Sequence, residues 1–136
     1  MKVNPIVLSG DWRAGFALDV HTVSSDYIGD DEYGHARFDT KRSEVGELLY
    51  RFKYAQDKSG VRLLAETAAE FVRSQRWPVE AIVPVPPSRE TRVFQPLQIL
   101  ARALGESLGI PVQSDCIAKT RSTPELKSVT AYDERL

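Results

Sequence analysis

The sequence predicts an α/β fold in which a parallel sheet with flanking helices follows an N-terminal β-hairpin. Two segments, 45–52 and 61–72, carry apolar side chains at the spacing of amphipathic helices. Residues 80–87 form a short β-branched run bounded by prolines, which is typical of a buried strand. A third helical pattern and another short apolar run follow in residues 95–118. The order strand, helix, strand indicates a β-α-β unit, from which parallel sheets are built.

The composition is that of a chain that packs one core. Its 136 residues fit one domain, and 42% hydrophobic with 27% charged side chains argues against wholesale disorder. The net charge of -1 provides no overall field that draws the protein to nucleic acid or to a membrane surface. One cysteine excludes an internal disulfide framework, and no apolar run approaches the length of a membrane span. We therefore expect a cytoplasmic protein, with no membrane partner and no indication of direct nucleic-acid binding.

The first 43 residues are expected to form a hairpin and a polar loop that acts as a hood or lid. Apolar residues 6–8 and the alternating segment 15–21 lie on either side of a Ser-Gly-Asp turn, which predicts a β-hairpin. Residues 24–42 are polar and acidic without an apolar period, which favours a surface loop. The predicted division is therefore 1–43 for this element and 44–136 for the α/β part.

The three predicted helices have recognisable ends. Glu44 suits the positive N-terminal end of the first helix, and Lys53 falls at its C-terminal end. Pro78 stops the second helix, whereas Pro96 suits the first position of the third helix and Gly109 its end. The third helix has an apolar stripe formed by Leu97, Leu100, Ala101, Leu104 and Leu108.

The loop between the predicted strand and the third helix is the first candidate site. Ligands of open α/β sheets bind where strands end and helices begin. Arg89 and Arg92 can pair with phosphate oxygens there, and the Ser88 and Thr91 hydroxyls can donate hydrogen bonds beside the helix N-terminus. The alternative is that the prolines only stiffen a surface turn and that both arginines are solvated. Composition alone favours this alternative.

The basic segment from Lys119 onward is the second candidate, since a mobile basic loop can fold over an anionic ligand. Its alternative is a frayed terminus whose charges only confer solubility. Cys116 lies in an apolar run and is expected to be a buried structural thiol. His21 and Asp19 share one face of a strand, but the sequence fixes no third metal ligand, so no metal site is assigned.

The predicted sheet is incomplete. One or two parallel strands leave faces and edges uncovered, and a doubly wound sheet needs more. We therefore expect either a C-terminal segment that completes the sheet or a partner, such as a second copy in a homo-oligomer.

Five segments, in this order, resemble landmarks of the ComF/GntX-type family of type I phosphoribosyltransferases, proteins linked to DNA-uptake competence. They are 48–54 (LLYRFKY), 81–86 (AIVPVP), 92–95 (RVFQ), 119–124 (KTRSTP) and 134–135 (ER). The resemblance covers about residues 44–135. It implies a Rossmann-like parallel sheet and a pentosyl transfer from phosphoribosyl pyrophosphate assisted by Mg²⁺, with no other metal site.

The resemblance also implies roles for individual residues. The proline-rich loop corresponds to the pyrophosphate loop, which makes Ser88, Arg89 and Arg92 candidate pyrophosphate ligands. The segment after residue 118 corresponds to the flexible catalytic loop. Its candidate catalytic residues are Lys119, Arg121, Thr123 and Arg135. Lys53 matches a Lys-Tyr pair of the family whose role stays open.

The chain departs from the family at several places. Val93 replaces a glycine of the pyrophosphate loop, which makes a close backbone approach to phosphate harder. The motif Asp-Asp-x-x-Thr-Thr-Gly, which holds ribose 5-phosphate in the family, does not occur in the 136 residues. We therefore expect the N-terminal part of a phosphoribosyltransferase, truncated before this motif and inactive alone. The alternative is a non-catalytic module that senses a ligand or binds a partner.

Overall fold

The computed structural model describes residues 1–87, 94–118 and 120, and the chain forms two compact units, residues 1–77 and 78–136. Within the described residues the fold is mixed α/β, with three α-helices and two small antiparallel sheets. The predicted α/β class is therefore confirmed at this level. The expected division after residue 43 lies inside the first unit.

The predicted N-terminal hairpin is present. Strands β1 (Ile6–Val7) and β2 (Phe16–Ala17) are antiparallel, and the Leu8 amide donates to the Gly15 carbonyl over 2.8 Å. Phe16 reaches from this hairpin to the helical part of the unit. Its ring lies 5.2 Å from that of Phe71 and 5.8 Å from that of Trp77.

Residues 24–42 are not a loop, and this prediction was wrong. Strands β3 (Thr22–Asp30) and β4 (Ala36–Arg42) form a second antiparallel hairpin with register irregularities beside Val23 and Ile28. No residue of either strand is buried. Because neither face contacts a core, the strands need no alternation of apolar and polar residues, and the signal used to find strands is missing.

The first two predicted helices are confirmed. Helix α1 spans Glu44–Ala55 and α2 spans Val61–Gln75, with a short 3-10 helix, Lys58–Gly60, between them. Ser43 caps α1, since its hydroxyl accepts a hydrogen bond from the Gly46 amide over 2.9 Å. The buried hydrophobic side chains of the first unit all belong to these helices: Val45, Phe52, Val61, Leu64, Ala65 and Ala69.

In the second unit, α3 spans Pro96–Leu108 and ends at Gly109, in agreement with both predicted ends. The predicted buried strand over residues 80–87 is reduced to one parallel bridge between Ile82 and Val112. Val83 and Val85 are 40% and 68% exposed, so this segment is not a buried strand. The prolines of the segment cannot donate to a ladder, which limits strand pairing.

A further prediction about a side chain of this unit was wrong, and the packing of α3 differs in detail from its predicted apolar stripe. Cys116 is exposed rather than buried, and its thiol donates to the side-chain oxygen of Gln113 over 3.2 Å. Leu97 is 45% exposed, and the buried residues of α3 are Ala101 and Gly105. The helix therefore packs through small residues rather than through its leucines alone.

Candidate functional site

The parallel bridge of the second unit fixes the direction of two chain segments. The Ile82 amide donates to the Pro111 carbonyl over 2.9 Å, and the Gln113 amide donates to the Ile82 carbonyl over 2.8 Å. Residues 83–87 and 113–118 therefore leave the bridge at the same, carboxyl edge. This is the edge at which α/β folds bind ligands.

Helix α3 connects the two segments and lies directly against them. A Cβ atom placed on Gly105 would lie 2.7 Å from Cγ2 of Val112 and 2.9 Å from the Ile110 carbonyl oxygen. Only glycine allows this approach of helix to strand without displacement. Sequence reasoning missed this contact, although Ala101 and Gly105, two small residues four positions apart, were the available signal.

The N-terminus of α3 lies at the carboxyl edge. Pro96 is its first residue, and the first turn contains no acidic side chain that would compete with an anion for the positive end of the helix. The Ser114 hydroxyl donates to the side-chain oxygen of Gln98 over 2.9 Å, which ties the segment after the bridge to this turn. We call this region, residues 83–87, 94–98 and 113–118, the carboxyl-edge site.

The predicted ligands themselves lie outside the described residues. Ser88, Arg89 and Arg92 belong to the stretch 88–93, which the chain must cross between Pro87 and the start of α3. The catalytic candidates Lys119, Arg121, Thr123 and Arg135 also lie outside the description, in residue 119 and in 121–136. The structure thus describes the flanks of both candidate loops, and the roles of these residues stay predictions.

Lys53 belongs to the first unit. It lies in the last turn of α1, where its ammonium group is 5.8 Å from the centre of the Tyr54 ring. The rings of Tyr50 and Tyr54 are 5.0 Å apart, and both side chains are exposed. These residues form an aromatic and basic surface of α1, and no role follows from their geometry alone.

Asp19 and His21 follow β2, and each has polar contacts with other residues of the first unit. Asp19 accepts hydrogen bonds from the amides of Asn4 and Val20, and a ring nitrogen of His21 lies 3.2 Å from the Thr22 hydroxyl. Among residues 1–87, 94–118 and 120, no three His, Cys, Asp or Glu side chains are grouped to hold a metal ion.

No family model matches the chain, and no curated protein or solved structure matches it either. Of the helices in the described part of the chain, none has both the length and the apolar character that crossing a membrane requires.

Proposed function

We propose that this chain is the N-terminal part of a cytoplasmic, ComF/GntX-type phosphoribosyltransferase, and that the carboxyl-edge site holds the pyrophosphate of phosphoribosyl pyrophosphate. The observation that carries the proposal is the parallel bridge between Ile82 and Val112, which α3 connects. The bridge and α3 have the chain direction and connectivity of a β-α-β unit, from which the Rossmann-like sheet implied by the family resemblance would be built.

The N-terminus of α3 supplies the electrostatic basis for anion binding. The first amides of a helix have no partner within the helix, and the helix dipole favours negative charge there. In α3 these include the amides of Leu97 and Gln98, since Pro96 has none. The proposed ligands Ser88, Arg89 and Arg92 precede this turn in the sequence, and their hydroxyl and guanidinium groups suit the binding of phosphate oxygens.

The described part of the site offers little to a metal ion on its own. Asp115 is the one carboxylate among its described residues. Proteins commonly hold Mg²⁺ through one or two carboxylates together with substrate phosphates and water. Asp115 together with pyrophosphate oxygens and water would hold Mg²⁺, and the ion would there supply positive charge that neutralises the leaving group.

The proposed reaction is a substitution at the anomeric carbon of the ribose. The bond from this carbon to pyrophosphate breaks, a bond to the acceptor forms, and pyrophosphate leaves with the bonding electrons. To Lys119, Arg121, Thr123 and Arg135 we assign the role that the resemblance implies for the flexible loop, which is to exclude water and stabilise the departing charge. The family motif that holds ribose 5-phosphate does not occur in the 136 residues, so we assign only the pyrophosphate part of the site to residues of this sequence.

Nuclear magnetic resonance of the isotope-labelled chain tests this division. Magnesium pyrophosphate should shift the amide signals of Leu97 and Gln98, with weak affinity, whereas ribose 5-phosphate should leave them unchanged. Signals of α1 should not respond to either compound. Unshifted signals of the α3 first turn at saturating pyrophosphate would overturn the proposal.

Two arginine variants sharpen the experiment. Arg92→Ala should weaken pyrophosphate binding about tenfold or more, since a charge-assisted hydrogen bond contributes about 1.5–3 kcal/mol. Arg102→Ala is the matched control, because Arg102 is exposed in the middle of α3 and should not affect binding. Equal affinities of the two variants would remove Arg92 from the site, and loss of the circular dichroism spectrum in Arg92→Ala would indicate a structural arginine.

A partner-binding module is the second candidate function. The exposed rings of Tyr27 and Phe38 on the β3–β4 hairpin favour it, because neither ring is covered in the described structure. A folded chain that does not respond to pyrophosphate would select this candidate over the transferase.

A further inference from the structure

Strand β4 has an open outer edge. At one end of the hairpin the Asp31 amide donates to the His35 carbonyl, and at the other the Ser43 amide donates to the His21 carbonyl. Hydrogen-bonded and non-hydrogen-bonded residues alternate in antiparallel pairs. Both register irregularities place the extra residue in β3 and none in β4, so the alternation along β4 is unbroken. The odd-numbered residues of β4 therefore bond to β3, and its even-numbered residues direct their amides and carbonyls outward.

No strand in the described part of the chain pairs with these outward groups, since β3 and β4 form a two-stranded sheet. Isolated two-stranded hairpins are marginally stable in water, and a third strand adds a full ladder of hydrogen bonds. The outward residues of β4 are Ala36, Phe38, Thr40 and Arg42.

The charged face of the hairpin contains an unfavourable pair. Asp26 and Asp39 lie directly opposite each other, and like charges in this position destabilise a sheet. Arg37 and Lys41, two residues before and after Asp39, lie on the same face of β4. All four side chains belong to exposed residues. Within β4 the charges thus alternate as positive, negative, positive.

The opposite face contains an aromatic pair. Tyr27 lies opposite Phe38, with 5.8 Å between the ring centres, and the two residues are 59% and 56% exposed. The tyrosine hydroxyl donates to Asp30 over 2.7 Å, which fixes this ring at the surface. The outer edge of β4 therefore offers backbone hydrogen-bonding groups, with charged side chains on one face of the sheet and an aromatic pair on the other.

We infer that a second copy of this chain pairs with the β4 edge, antiparallel and centred on Phe38, so that two hairpins form a four-stranded sheet. Arg37 of each copy then lies opposite Asp39 of the other copy. The two-fold axis relates the two resulting ion pairs. The same arginine relieves the repulsion between Asp26 and Asp39. The two Phe38 rings become neighbours, and each extends the contact with its own Tyr27 across the sheet.

The charge pattern favours this register over the registers that are centred one or two residues further along β4. Centring the pair on Asp39 would place the two Asp39 carboxylates together and Arg37 against Lys41. Centring it on Thr40 would bring the start of α1 opposite Ala36. It would also require Arg42 to face Phe38, although the Arg42 guanidinium already lies 3.8 Å from the centre of the Tyr50 ring.

Charge reversal tests the inference on the full chain by sedimentation equilibrium. The wild type should dimerise with a dissociation constant of about 10 µM to 1 mM, as expected for a small interface. Arg37→Asp and Asp39→Arg should each weaken dimerisation about tenfold or more, since each turns both attractive pairs into repulsive ones. The double variant should recover it. A wild type that stays monomeric, single variants that associate normally, or a double variant without recovery would each overturn the inference.

Cysteine cross-linking tests the register. In a Cys116→Ser background, Phe38→Cys should form an intermolecular disulfide on mild oxidation, because facing residues of a hydrogen-bonded pair have Cα atoms about 5.5 Å apart. Thr40→Cys is the control, since its counterpart in the second copy would lie too far away. Equal cross-linking of the two variants would overturn the register centred on Phe38.

Discussion

The two parts of the first unit are ordered by different interactions. Helices α1 and α2 bury a shared core in which Phe52 is 1%, Ala65 1% and Ala69 0% exposed. The β3–β4 hairpin buries no residue and is ordered by its backbone ladder and by cross-strand contacts such as Tyr27 with Phe38. The difference teaches that a regular element need not take part in the core, and that its sequence then lacks the signature of burial.

The largest expected effect separates two phenylalanines. Phe52→Ala should lower the free energy of unfolding by about 3–5 kcal/mol, because it opens a cavity in the helical core. Phe38→Ala should cost less than about 1 kcal/mol, since its ring is half exposed and loses one cross-strand contact. Urea denaturation at low protein concentration measures both. Equal costs would show that the hairpin belongs to the core.

The same contrast explains what the sequence reveals. The helices were predictable to within a few residues because Phe52 and its neighbours recur at helical spacing, and because Pro96 and Gly109 mark the ends of α3. The β3–β4 hairpin was not, although Asp31 and Gly34 form its turn. Asp31 accepts hydrogen bonds from the amides of Tyr33 and His35, a local arrangement without periodicity.

In the carboxyl-edge site, the start of α3 after the Ile82 segment was predictable, whereas the packing of α3 was not. A strand followed by a helix indicated the edge from the order of the elements alone. The contact of Gly105 with Val112 and the hydrogen bond from Ser114 to Gln98 depend on residues that are distant in sequence and small or polar. Hydrophobic periodicity contains no information about either contact.

A second experiment compares two glycines. Gly46 lies in α1 beside the start of the β3–β4 hairpin, and Gly34 lies in the turn of that hairpin. A Cβ atom on Gly46 would collide with the backbone carbonyl of His21, so Gly46→Ala should destabilise the fold by about 1–3 kcal/mol despite the better helix propensity of alanine. Gly34 has open space around it but a φ of +80°. Gly34→Ala should therefore cost about 1 kcal/mol because of its backbone conformation.

Asparagine substitutions distinguish the two causes. Gly34→Asn should restore most of the stability lost in Gly34→Ala, because asparagine tolerates positive φ. Gly46→Asn should be at least as damaging as Gly46→Ala, since any side chain meets the same carbonyl. Thermal unfolding of the four variants gives the order. A stable Gly46→Ala would mean that the hairpin moves freely with respect to α1.

The smallest expected effect is a difference in pH dependence between the two regions. In the helical part, hydrogen bonds from Ser59 lower the pKa of Asp57 below its ordinary value of 3.8. This carboxylate therefore contributes stability above that value, and the contribution is lost as the pH falls through the lowered pKa. In the hairpin, the hydrogen bond to Asp30 raises the pKa of Tyr27 above 10.0. That contribution is present below pH 10 and is lost as the pH rises through the raised pKa.

The helical part should thus lose stability in acid and the hairpin in alkali. Two variants separate these effects. Asp57→Asn should flatten the loss of stability in acid and leave the alkaline side unchanged, whereas Tyr27→Phe should do the reverse. Neither group is buried, so the changes in the urea midpoint should be small, and they should occur at opposite ends of the pH range. Urea midpoints measured from acid to alkaline pH give the comparison. An alkaline loss of stability that is the same in Tyr27→Phe and the wild type would show that the hydrogen bond from Tyr27 to Asp30 does not stabilise the hairpin.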